Sequence, residues 1–271
     1  MTWTDKTAIV VPCYNEAERL ALDEYRKFSL VHPHVEFLFV DDGSRDRTLE
    51  TLRALQERDP CHFHVLSLPS NRGKAEAVRR GMLYVLSNGA RYAGYWDADL
   101  ATPLAEIPRF IEVLSCGHDA CFGSRVRLLG RSIARSPARH YLGRIFATAA
   151  SHILNLPVYD TQCGAKLFRA SPHTRALFEE PFCVNWTFDV ELIARMQTVF
   201  ALDAQGLEAS QRIYELPLDE WRDVAGSNVK PTDFVKGIHE LTRILYKYRL
   251  AKLHKPAKQV ARQPASRSLR R

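Results

Sequence analysis

Four apolar, β-branched runs alternate with helical patterns through the first half of the chain, and this alternation constrains the fold more than any other feature. TAIVVP (7–12) leads into a helix expected near 15–30, and VEFLFVDD (35–42) into one near 46–57. FHVLSLP (63–69) precedes a helix expected near 74–87, and YAGYWD (92–97) one near 104–115. Strands that read as unbroken apolar runs are buried on both faces, and the helical stretches between them supply the cover. The expected fold is α/β: a Rossmann-like, mostly parallel central sheet flanked by helices.

In such sheets ligands bind beyond the carboxyl ends of the strands, where strand order reverses. PCYNE, DDGS, NRGK and DAD follow the four strands in turn, so four polar strand ends share one edge. Turn chemistry alone accounts for DDGS or NRGK taken singly, but not for four in register. Asp97 and Asp99 stand one residue apart. Like charges so close raise one another's cost of ionisation unless a cation sits between them. The pair is either a solvated turn or half of a metal site. Neither GxGxxG nor GxxxxGK[ST] occurs, so a nucleotide here is not held by either glycine-rich phosphate loop. A divalent cation bridging diphosphate oxygens to one or two carboxylates is the substitute.

With 271 residues, 46% hydrophobic and 25% charged, the chain has the composition of a soluble globular protein of one large or two small domains. No run approaches the roughly 20 apolar residues of a spanning helix. The N-terminus has no basic-then-apolar leader, so no signal peptide is expected. Six cysteines without a CxxC read as reduced thiols of a cytosolic protein. The net charge of +7 is unevenly spread: residues 247–271 hold nine Lys/Arg and no Asp/Glu, leaving 29 basic against 31 acidic groups before them. A single domain is therefore expected over 1–246, followed by a basic, disordered tail over 247–271. The tail is a solvated terminus, or a tether to anionic lipid in which each basic residue adds about 1 kcal/mol. A nucleic-acid arm lacks aromatic interleaving, and no nucleic-acid partner is expected.

Arg125, Arg127, Arg131, Arg135, Arg139, Arg144 and Arg169 gather around a helix expected over 138–155. Its Leu142, Ile145, Phe146, Ala149, Ile153 and Leu156 recur at spacings that fit a core helix with a solvated face, or a helix lying on a bilayer.

Taken together, PCYNE, VDDGSRD, NRGK, DADL, GSR, DTQCGAKLF and WTFDVEL resemble, over roughly residues 7–245, the inverting family 2 glycosyltransferases with the GT-A fold. Within that family the wording is most similar to dolichyl-phosphate β-glucosyltransferases, with dolichyl-phosphate mannose synthases as relatives. The resemblance implies that Pro12, Tyr14, Glu16, Val40 and Asp42 frame the base and ribose of a nucleotide-sugar, with Lys74 also on the donor side. Asp97, Ala98 and Asp99 would sit at the diphosphate, the two carboxylates sharing Mg2+ or Mn2+. Arg125, Arg139 and Arg222 would bind the phosphate of a polyprenyl lipid acceptor. Asp160 would lie near the reacting sugar, and Asp189 and Glu191 would close the acceptor side. Two positions depart from the pattern: Ala101 stands where mannose synthases carry Gln, and Asn228 where many relatives carry Lys.

The implied activity is transfer of a hexose, glucose from UDP-glucose, to polyprenyl phosphate. The enzyme would be peripheral on the cytoplasmic face of a membrane. A phosphate acceptor is already an anion and needs no strong base; Asp160 or Asp189 could orient a sugar hydroxyl, or act as base toward an alcohol. The alternatives are a soluble family 2 enzyme with a saccharide or small-metabolite acceptor, and a catalytically silent nucleotide-sugar-binding protein.

Overall fold

The computed structural model describes residues 6–134, 137–201, 209–224 and 231–250, with backbone alone at 137–140, 231–235 and 250. In chain order the elements are β1 (Thr7–Cys13), α1 (Leu22–Val31), β2 (Val35–Asp41), α2 (Thr48–Arg58), β3 (Phe63–Ser67), α3 (Lys74–Ser87), β4 (Tyr92–Trp96), α4 (Ile107–Ser115) and β5 (Ala120–Ser124). There follow β6 (Ser132–Ala134), α5 (Pro137–Leu154), β7 (Ala165–Arg169), α6 (Pro172–Glu179), α7 (Phe188–Phe200), α8 (Ala209–Arg212), β8 (Ile213–Pro217), β9 (Glu220–Arg222) and α9 (Pro231–Leu245).

Among the described residues seven strands form one sheet in the order β3-β2-β1-β4-β7-β5-β8, and β6 pairs with β9 in a small second one. The first four strands are parallel, as their apolar runs require. Alternate residues of β1 serve opposite cores: Ala8 and Val10 pack with α3 and α7, Ile9 and Val11 with α1 and α4. Burial on both faces is why these strands show no polar alternation.

Two features of the topology build the site. Strand order reverses between β1 and β4, so the crevice of an open α/β sheet falls at the ends of these two strands. β7 runs antiparallel to both β4 and β5, and Ala165 at its start pairs with Trp96 at the end of β4. The loop entering β7, with its DTQCG sequence, is thereby set against DAD.

The first helix starts later than the sequence pattern predicts. The loop after β1 is held open by Asn15 N–H to Ser44 Oγ (3.0 Å), Glu16 N–H to Thr48 Oγ1 (2.8 Å) and Ala17 N–H to Asp46 Oδ2 (3.2 Å), so α1 begins at Leu22. The first residues of the stretch expected as a tail, 247–249, are bonded to the domain. Lys247 and Tyr248 bond Glu191 at 3.2 and 2.8 Å, and Arg249 donates to the carbonyls of His152 and Ile153. Residues 251–271 lie outside the described residues.

Candidate active site

A cavity of about 310 Å³ opens beyond the end of β4. Its walls come from Asp97, Asp99, Ala101 and Thr102 after β4, from Lys74 at the start of α3, from Arg125 after β5, from α5, from the Tyr159–Gln162 stretch with Gly164, from the start of α7 with Asn185 and Trp186 before it, and from Trp221, Asp223 and Val224.

The carboxylate end is built on a tight turn. Leu100, just past Asp99, takes φ +51°, a left-handed conformation that side chains disfavour. The turn lets Ala101 N–H donate to Asp99 Oδ1 at 3.1 Å. Burial and the neighbouring Asp97 raise the Asp99 pKa. Lys74 Nζ lies 2.5 Å from Asp97 Oδ1. Desolvation pulls the lysine pKa down, but the charges of Asp97, Asp189 and Asp99 outweigh it, and the net shift is upward. Despite that ion pair, the buried Asp97 Oδ1 has no well-aligned hydrogen bond.

Gly164 explains why the DTQCG loop ends as it does. A Cβ built there would fall 2.5 Å from Asp97 Oδ1 and nearer still to Oδ2, so only glycine leaves room for the carboxylate. Among the described residues no cluster of three or more His, Cys, Asp or Glu side chains could hold a metal by itself. Two carboxylates suit a hard divalent cation that completes its shell with phosphate oxygens and water.

Asp160 and Arg125 meet directly. Arg125 Nε and Nη2 donate to Asp160 Oδ2 and Oδ1 at 2.6 and 2.8 Å, a bidentate pair. Glu215 on β8 fixes the carboxylate's own loop by accepting Tyr159 N–H and Asp160 N–H, both at 2.8 Å. The expected phosphate-binding arginine is thus held by the residue expected beside the sugar. Arg125 Nη1 is uncommitted among the described residues, and the guanidinium lies 5.4 Å from the Trp221 ring centroid.

Asp189, in the first turn of α7, lines the cavity, and its Oδ1 accepts from Tyr95 Oη (2.5 Å) and Lys166 Nζ (2.6 Å). Glu191, expected on the acceptor side, is not in the cavity wall. It is fully buried and binds Arg195, Tyr248, Lys247 and Cys183 N–H, tying the chain's last described turn to α7.

The residues expected on the nucleotide side divide, and none of Pro12, Tyr14, Glu16, Val40 and Asp42 lines the cavity. Tyr14 is exposed and Glu16 half-buried at the end of β1, with Pro12 just behind them. Burial raises the Glu16 pKa. Val40 is fully buried, its side chain packed in the core, so only its backbone faces the strand end. Asp42 accepts Arg72 N–H at 2.8 Å and Gly73 N–H at 2.7 Å, so its carboxylate shapes the NRGK loop instead of facing outward. That loop turns through Gly73 at φ +90° and delivers Lys74 to the cavity. Ala98 is buried, its methyl directed into the core between the two aspartates.

Arg222 is exposed and absent from the cavity wall; its backbone N–H donates to Ala101 O at 3.0 Å. Its neighbours Trp221 on β9 and Asp223 just past it line the cavity, because successive residues of an extended chain face opposite sides. The side chain of Arg139 lies outside the described residues.

Several wall residues were not expected at the site. Arg144 packs 3.7 Å from the Tyr159 ring centroid and donates to Tyr159 O at 3.0 Å. Phe146, Trp186, Phe188 and Trp221 form an apolar end. The spacing of Arg144 and Phe146 on one helix was visible, but not which way that helix faces. Cys163 sits in the same loop, fully buried, and burial pushes its thiol up to about 11, away from thiolate character.

The family model for Glycosyl transferase family 2 matches residues 8–176. A dolichyl-phosphate beta-glucosyltransferase of Trichomonas vaginalis is 31% identical over 257 residues, covering 90% of this chain and 72% of that protein. The dolichyl-phosphate beta-glucosyltransferase of Homo sapiens is 30% identical, covering 84% of this chain and 71% of that one. The solved structure of glucosyl-3-phosphoglycerate synthase from Mycobacterium tuberculosis, in complex with Mn2+ and UDP-glucose, shares the fold at TM-score 0.63 and 19% identity, covering 90% of this chain and 79% of that one. The parallel sheet with its crevice at the β1/β4 switch is the GT-A fold, and the chain belongs to glycosyl transferase family 2.

Proposed function

We propose that this glycosyltransferase moves glucose from UDP-glucose to the phosphate of a polyprenyl lipid, with inversion at the anomeric carbon. The observation that carries the reading is one cavity with two unlike ends. Asp97, Asp99 and Lys74 suit a diphosphate with its counter-ion, whereas Arg125, Arg144 and the aromatic wall suit a phosphate on an apolar stem. The names of the relatives, dolichyl-phosphate beta-glucosyltransferases, support the same division.

Asp97 and Asp99 would hold Mg2+ or Mn2+; Asp97 Oδ1, which has the ion pair with Lys74 but no well-aligned hydrogen bond, and the space kept by Gly164 fit such a role. The chemistry such an ion would supply there is neutralisation of negative charge on a diphosphate leaving group. Lys74 adds a fixed positive charge beside the same carboxylates. Arg125, immobilised by Asp160, turns its remaining donors toward the acceptor phosphate without having to be ordered on binding. Tyr14, Glu16 and Pro12 lie on the nucleoside side. Since the acceptor oxygen is anionic, Asp189 orients a hydroxyl instead of removing a proton.

Among the described residues no helix is long and apolar enough to cross a membrane. Tyr141, Leu142 and Ile145 are exposed on α5, the helix whose other residues line the cavity, and Leu129 is fully exposed nearby in sequence. This apolar face, together with seven basic residues in 251–271, would dock the enzyme on the cytoplasmic face of an anionic membrane, since one weak anchor is marginal and two are stable.

The test is incubation with UDP-glucose, Mn2+ or Mg2+ and a short polyprenyl phosphate, following the glycolipid and its anomeric configuration. Transfer only to a soluble saccharide or phosphorylated metabolite would refute the acceptor. Removal of 251–271 should weaken co-sedimentation with anionic vesicles at low salt; unchanged binding would make the tail a solvated terminus.

A further inference from the structure

Lys166 is fully buried in the middle of the sheet, on β7 between β4 and β5. Its ammonium has three donors and meets three acceptors: Thr161 O at 3.2 Å, Cys163 O at 2.7 Å and Asp189 Oδ1 at 2.6 Å. The rings of Tyr95 and Phe122 stand 5.5 and 5.3 Å away. A methionine or leucine would fill this place between aromatic rings without the cost of burying a charge. The lysine's work is therefore in what it holds.

Tyr95 donates to the same Asp189 oxygen at 2.5 Å. Burial and the charge of Asp189 raise the tyrosine pKa well above its ordinary value, so the phenol keeps its proton and remains a donor. Two donors converge on Oδ1, and Oδ2 has no partner among the described residues. The carboxylate lines the cavity and is fixed by its inner oxygen alone.

We propose that Lys166 and Tyr95 are positioning residues that clamp Asp189 by Oδ1, so that Oδ2 accepts a hydrogen bond from one hydroxyl of the transferred hexose. The proposal rests on the hexosyl-transfer reading above. It adds a second consequence of the lysine: its bonds to Thr161 O and Cys163 O hold the loop that ends in Gly164, against Asp97. One buried ammonium thereby sets the spacing between the hexose-binding carboxylate and the diphosphate end.

The test is a double-mutant cycle on the full chain with UDP-glucose and a short polyprenyl phosphate. The variants are Asp189→Asn, Lys166→Met, Tyr95→Phe and their pairs, with kcat, KM and UDP affinity measured for each. Each single change is expected to lower kcat about 10- to 100-fold, the range seen when an orienting partner is lost, while UDP affinity stays within about twofold. In the Asp189→Asn background the second change is expected to cost less than about threefold, because its target has gone. Multiplicative losses in both backgrounds would reduce Lys166 to a packing residue and overturn the inference. So would an Asp189→Asn variant with wild-type kcat. Should Lys166→Met fail to fold, Tyr95→Phe removes one hydroxyl, keeps the ring, and carries the same cycle. A wild-type protein that moves no hexose from UDP-glucose fails the parent reading and this one together; additive losses in an active enzyme fail this one alone.

Discussion

Replacing Gly164 by alanine tests the site at its narrowest point. The backbone there is not in the left-handed region, so the change is purely steric. The new methyl would lie 2.5 Å from Asp97 Oδ1 and closer to Cγ and Oδ2. Relieving that overlap needs a shift of about 1 Å, and displacements of that size at a reacting centre cost about 100-fold in rate. Overpacking of this kind costs about 1–3 kcal/mol of stability. For a domain of this size that is a fall in Tm of about 2–4 °C per kcal/mol. Gly164→Ala is therefore expected to keep its fold and its UDP affinity without metal, while losing about 100-fold in metal-dependent transfer and binding Mn2+ more weakly in the presence of UDP. Circular dichroism melting, calorimetry with UDP and Mn2+, and transfer assays provide the readouts. A variant with wild-type metal affinity and rate would show that Asp97 does not serve the cation, and the reasoning from Gly164 to the metal would fall with it.

Asp99→Asn should abolish metal-dependent turnover with little loss of stability, since among the described residues the side chain accepts a single hydrogen bond, from an N–H of its own turn; near-normal turnover would remove it from the metal site. Arg125→Ala is expected to do more than weaken the acceptor: it takes the bidentate guanidinium away from the buried Asp160 carboxylate, costing about 3–5 kcal/mol as broken buried pairs do, and a Tm within 2–3 °C of wild type (about 1 kcal/mol) would argue against that. Asp160→Asn should restore part of the stability lost by Arg125→Ala, by removing a buried negative charge that no longer faces a guanidinium; no recovery in the double variant would refute the pairing. Burial raises the Glu191 pKa, but hydrogen bonds and charge from Arg195, with further bonds from Tyr248 and Cys183, outweigh it and lower the folded-state pKa below the ordinary 4.5. Its contribution to stability is thus present above about pH 4.5 and lost as pH falls through the lower folded value. Denaturant titrations across that window should show a shallower acid-side decline for Glu191→Gln, and parallel curves would refute the assignment.

The resemblance and the strand-end pattern together brought Asp97, Asp99, Lys74, Asp160, Arg125 and Asp189 to attention, and the folded chain brings all six to one cavity. They were legible because chemistry in this fold sits in short polar segments after apolar strands, and both signals are local. The same reasoning did not show the intramolecular partners of some neighbours. Asp42 looks like a binding carboxylate in DDGS, but its oxygens are taken by two amide groups some thirty residues away. Glu191 reads as a second acidic group beside Asp189, yet in a helix two positions apart it faces away from the cavity and into a cluster with Arg195 and Tyr248.

From the sequence alone came the parallel sheet, the edge that carries the site and the family, because hydrophobic period and motif order survive without any knowledge of contacts. Only the tertiary structure could decide that Arg125 grips Asp160, that Gly164 makes room for Asp97 and that a buried lysine holds Asp189. Each joins residues from separate elements, across the antiparallel entry of β7 into an otherwise parallel edge, and no period along the chain encodes which long-range partners that reversal brings together.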